Sequence, residues 1–87
     1  MSRYLPAMKQ TDDSQILDTR GYLCPLPVLR LRKALAGLDA GAHLVVLADD
    51  PVAEIDIPHF CLEAGHSALA EPAPAGTHRF RVTKGAG

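Results

Sequence analysis

Two prolines separated by one residue make Cys24-Pro25-Leu26-Pro27 the most constrained stretch of this chain. Proline fixes φ and lacks an N–H, so it suits neither a central strand nor a helix interior. The first turn of a helix tolerates it, because the N–H groups there have no intrahelical acceptor anyway. Upstream, Leu17-Asp18-Thr19-Arg20-Gly21-Tyr22-Leu23 reads as a strand ending in a glycine turn. Downstream, Pro25 to Leu38 reads as a helix, with Val28, Leu31, Leu35 and Leu38 recurring on one face. Pro25 is expected at the first helical position, Pro27 should discourage Leu26 from helical angles, and Gly37 or Gly41 can end the helix.

Cys24 then lies at or near the N-cap. Unpaired N–H groups and the positive end of the helix dipole favour a thiolate there. The prolines remove two donors, so nearby cations must help. Arg20, Arg30, Arg32 and Lys33 are the candidates. A moderately lowered thiol pKa is expected, on a stiff turn built by Asp18, Arg20, Gly21, Pro25 and Pro27.

The remaining chain supplies three more strands and one helix. His43 to Ala48 is a continuous apolar run, as a covered strand requires. Asp49-Asp50-Pro51 marks a helix start, one aspartate capping and Pro51 first in the helix. Pro58 should kink that helix or split it, with Gly65 at its end. His66 to Glu71 reads as a weak strand. Thr77 to Lys84 alternates, with Phe80 and Val82 inward and Arg79, Arg81 and Thr83 outward. The order βαβαββ, with right-handed crossovers, predicts an α+β fold: a two-layer sandwich with a mixed four-stranded sheet and both helices on one face. Residues 1–14 have no hydrophobic period and read as a flexible arm, leaving 15–85 as a single domain.

Composition narrows the function classes. Eighty-seven residues allow one small domain, and 47% hydrophobic content is enough for a core without staples. A net charge of −1 argues against general affinity for nucleic acid, which rests on neutralising phosphates. Two cysteines make no disulfide framework, and the opening residues are too polar and too few for a secretory leader. A reducing, cytoplasmic setting away from membranes is expected.

The run Leu17-Asp18-x-x-Gly21-x-x-Cys24-Pro25-x-Pro27-Val28 closely resembles the TusA (SirA-like) sulfur-carrier family, whose signature is Cys-Pro-x-Pro opening the first helix. The likeness continues through Arg32-Lys33, Ala48-Asp49-Asp50-Pro51, Asp56-Ile57-Pro58-x-Phe60-Cys61 and the basic last strand. It implies a sandwich resembling the C-terminal domain of translation initiation factor 3. It also implies that Cys24 takes a persulfide from a cysteine desulfurase and relays it to a downstream acceptor protein. In the best-known branch the sulfur ends in 2-thiouridine of tRNA; sulfur oxidation and molybdenum cofactor biosynthesis are other end uses. Arg32 and Asp50 match positions that contact the desulfurase. Leu23 and Leu26 depart from members that carry a basic and an acidic residue there. No cofactor is implied, and a monomer is expected.

Competing readings bound this one. Cys61, between Phe60 and Leu62, reads as a buried inert thiol. His59-x-Cys61 with three scattered histidines lacks zinc-ligand spacing, so no metal site is expected. A regulatory adaptor would bind partners with Cys24 purely structural. A thiol peroxidase or disulfide reductase would want a resolving Cys-x-x-Cys, which the sequence does not contain.

Overall fold

The apolar run His43–Ala48 becomes the second strand and carries the core. A computed structural model describes residues 15–86; the arm expected over 1–14 lies outside them. The elements are β1 (Gln15–Asp18), α1 (Leu26–Ala36), β2 (His43–Ala48), α2 (Ala53–Ala64), β3 (Ser67–Glu71) and β4 (His78–Thr83). Alternation on β2 sends Leu44, Val46 and Ala48 to one face, where they meet Leu31 and Leu35 of α1 and Ile57 and Cys61 of α2. Phe80 and Val82 of β4 complete that core, inward as their alternation predicts.

The sheet order is β1-β2-β4-β3. β1 pairs parallel to β2, with Ile16 opposite Val45 and Leu17 opposite Val46. β4 lies antiparallel to both β2 and β3, so β2 and β3 run the same way. Each helix therefore spans a pair of like-directed strands, and the order never reverses direction across the sheet. Both helices land on one face, giving the expected two-layer βαβαββ sandwich.

Local boundaries differ from the sequence reading in instructive ways. α1 begins at Leu26 with Pro25 as its N-cap, and ends at Ala36. Leu26 is helical despite Pro27, because its N–H donates to the Leu23 carbonyl at 2.9 Å and closes a turn. The first helical bond runs from Leu29 N–H to the Pro25 carbonyl, 3.1 Å. α2 begins at Ala53, two residues beyond Pro51, and Val52 rather than an aspartate is its N-cap. Asp49 is taken by Gly21 N–H, whereas Asp50 accepts from Val52 N–H in the turn just before the helix. Pro58 sits inside α2, which continues through it as one element to Gly65, whose φ of 86° gives a left-handed cap. β3 starts at Ser67, since His66 is held in the turn: its N–H donates to the Cys61 carbonyl and its Nδ1 accepts from Gly85 N–H.

The far end of α1 is closed by the last strand. Lys84 Nζ donates to the Leu35 and Leu38 carbonyls at 2.8 and 2.9 Å, satisfying two acceptors that a helix end leaves open.

Candidate functional site

The turns after β1 and β2 meet at the carboxyl ends of two neighbouring parallel strands. Thr19, fully buried, extends the β1–β2 pairing by giving both its N–H and its hydroxyl to the Leu47 carbonyl. The chain then turns through Arg20 and Gly21, whose φ of 89° is open to glycine, and Tyr22 N–H closes on the Thr19 carbonyl. Asp18 clasps Arg20 with both carboxylate oxygens, at 2.9 and 2.7 Å, and accepts its N–H as well. That pairing holds the Asp18 carboxyl at about 2, against an ordinary 3.8, and raises Arg20 in return.

Two consecutive carboxylates from the other turn tie this loop down. Asp49 accepts from Gly21 N–H at 3.0 Å. Asp50, only 8% exposed, accepts from Cys24 N–H at 2.6 Å through one oxygen and from Val52 N–H at 3.2 Å through the other. Asp50 is thus shared between its own turn and the backbone of Cys24. Through Oδ1 it caps the turn that leads into α2, ahead of the first regular helical residue, while Oδ2 braces Cys24.

Cys24 is exposed and follows no helix-dipole logic. Its Sγ donates to Asp56 Oδ2 at 3.0 Å, a side chain in the first turn of α2. The hydrogen bond to Asp56 lifts the thiol above its ordinary pKa, and partial burial and the negative charges of Asp56 and Asp50 add to it. The expected lowering is therefore reversed. Neither Pro25 nor Pro27 has an N–H to offer, and the N–H groups of Cys24 and Leu26 are taken by Asp50 and Leu23. The four cations are also engaged elsewhere or remote. Arg20 is held by Asp18, Arg30 lies 4.3 Å over the Tyr22 ring, and Arg32 lies 4.9 Å over the Phe60 ring. Lys33 is in the last turn of α1, at the other end from the thiol.

Around the sulfur, Pro25, Pro27, Val28, Ala53 and Asp56 line a dent with no interior room for a small molecule. Leu23 and Leu26 flank it as exposed apolar side chains. Arg32 and Asp50 do not form one surface pair: Arg32 stands out on α1, whereas Asp50 is turned inward. Cys61 is 1% exposed in the core, where burial pushes its thiol up to about 11. His59 pairs with Glu63 at 3.4 Å on the outside of α2.

Asp56 entered the sequence reading only within the family run Asp56-Ile57-Pro58-x-Phe60-Cys61, with no role at the thiol. The signal available was an acid in the first turn of a helix, which complements the helix dipole without further purpose. Its approach to a thiol 32 residues earlier depends on how α2 packs beside α1.

In sequence and fold the chain is similar to known proteins. The family described as sulfurtransferase TusA matches residues 15–84. The sulfur carrier protein TusA of Pseudomonas syringae pv. syringae (strain B728a) is 40% identical over 79 residues, covering 91% of this chain and 93% of its own. That of Pseudomonas entomophila (strain L48) is 43% identical over 68 residues, covering 78% and 85%. The crystal structure of a SirA-like protein from Desulfitobacterium hafniense superposes with a TM-score of 0.72 at 28% identity, over 80% of this chain and 96% of that one.

Proposed function

The chain belongs to the sulfurtransferase TusA family, and from that membership we propose that it is a sulfur carrier whose Cys24 accepts a persulfide from a cysteine desulfurase and hands it to an acceptor protein. The observation that carries this reading is the contrast between the two thiols. Cys24 is exposed on a braced turn, and Cys61 is sealed in the core. A carrier needs one reachable sulfur and no second thiol able to resolve its persulfide into a disulfide.

The dent at Cys24 suits a protein that meets its partners surface to surface, since it offers a small molecule no enclosure. Asp18, Arg20, Gly21, Pro25 and Pro27 serve to hold the thiol-bearing turn in shape. Exposed Arg32 is suited to contact the donor, while Asp50 acts on it indirectly by fixing the Cys24 backbone. We take residues 15–85 as the single carrier domain, working as a monomer in the cytoplasm. No helix of the described residues is long and apolar enough to cross a membrane. Delivery toward 2-thiouridine in tRNA, sulfur oxidation or molybdenum cofactor synthesis is then decided by the acceptor.

The test is intact mass after incubating reduced protein with a cysteine desulfurase and cysteine. Wild type is expected to gain one sulfur atom, reversibly with a reductant, and Cys24→Ser to gain none. A wild-type chain that gains nothing from several desulfurases would leave the adaptor reading, in which Cys24→Ser keeps full partner binding.

A further inference from the structure

Sulfur transfer needs a thiolate, yet the thiol of this chain is bonded to a carboxylate. The nucleophile in any attack on a persulfide is the ionised sulfur. In the free chain Cys24 Sγ gives its proton to a hydrogen bond with Asp56, 3.0 Å away, and a second carboxylate, Asp50, holds the backbone of the same residue. Asp56 forms no ion pair among the described residues. On its outer side α2 continues with His59 and Glu63, and Arg32 of α1 lies across the groove they share with Asp56. That arginine rests on Phe60. Asp56 therefore stands partly exposed beside the sulfur, with no cationic side chain paired to it among the described residues.

We propose that Asp56 is a latch on Cys24: it keeps the sulfur protonated in the free carrier and lets go when a cationic side chain of the sulfur donor pairs with its carboxylate. The inference rests on the persulfide-carrier reading above for its second half only. A cation at Asp56 removes the hydrogen-bond acceptor and offsets the negative field, and both effects favour ionisation. The transfer then balances without a co-reactant. A bond forms between Cys24 Sγ and the terminal sulfur of the donor persulfide. The donor's S–S bond breaks, its electron pair leaving on the donor cysteine. The proton released by Cys24 ends on that departing thiolate, and no net oxidation occurs. Asp56 acts in this scheme by direct contact with the attacking sulfur and does not touch the sulfur being moved.

The experiment has two arms on the full chain, comparing wild type with Asp56→Asn and Asp56→Glu. The first is the pH–rate profile of iodoacetamide alkylation at Cys24, read by mass. Asp56→Asn should move the profile to lower pH, while Asp56→Glu should stay near wild type. At pH 7 each unit of that move should raise the rate about threefold to fourfold, because a gain in thiolate is partly offset by lower nucleophilicity. The second arm is single-turnover loading from a persulfide-charged cysteine desulfurase at low salt. There Asp56→Asn should slow by about tenfold or more, since a close charge pair across the interface is lost. Faster alkylation with slower loading is the expected pair of results. An unmoved alkylation profile overturns the latch. Faster alkylation with unchanged or faster loading overturns release by a cation. Failure of the wild type to load would count against the carrier reading, and the alkylation arm would still decide whether Asp56 restrains the thiol.

Discussion

Asp18 and Arg20 show what an exposed pair can and cannot do. Their clasp shapes the turn before Cys24, but both side chains are about half exposed, so water screens its worth to stability. Its signature is a titration. The Asp18 carboxyl should show a midpoint near about 2 by carbon-detected NMR, against an ordinary 3.8. The sign follows from the lowered folded value: the contribution is complete above 3.8 and is lost as pH falls through about 2. A midpoint close to 3.8 would mean that the clasp does not persist in solution. Residue-scale chemistry was legible only in part. The place of Cys24 on the turn before α1 and the burial of Cys61 follow from motif and neighbours. The direction of the Cys24 shift does not, because it is set by Asp56, whose nearness depends on tertiary packing.

At the scale of elements, the Asp49-Asp50 pair explains both a success and a failure of reading. The residues do mark the approach to α2, as Asp-Pro predicts. One oxygen of each serves the neighbouring loop, while the second Asp50 oxygen caps the turn at Val52, before the regular helix begins at Ala53. Asp50→Ala should leave the N–H groups of Cys24 and Val52 without their acceptor. A loss of about 2 kcal/mol is expected, with water replacing part of what is lost. Asp50→Asn, which keeps one acceptor oxygen, should lose about half of that. Urea midpoints measured on the two variants check the order, and an Asp50→Ala midpoint equal to wild type would refute the brace. Pro58 teaches a related lesson. One missing N–H does not break a helix whose inner face holds Ile57 and Cys61 in the core, so packing outweighs the local preference.

For the molecule as a whole, the architecture was legible because two kinds of pattern agree. Continuous apolarity in His43–Ala48 and alternation in Thr77–Lys84 assign covered and half-covered strands, and the handedness of crossovers does the rest. What no pattern announces is that the β1–α1 and β2–α2 turns would be stapled together at the carboxyl end of the parallel pair. The staple has a kinetic meaning. Cys24 N–H belongs to an exposed residue in a loop, where amides ordinarily exchange with solvent quickly through local openings. Held at 2.6 Å by a carboxylate buried beside the central strand, it should instead exchange at a rate close to that of Val46 in β2. Exchange hundreds of times faster than Val46, measured by deuterium uptake at single-residue resolution, would show that the loop opens alone. A loop with the lifetime of a strand cannot wander between docking events. The carrier would then meet donor and acceptor with its sulfur in the same place each time, and that place would last as long as the sheet does.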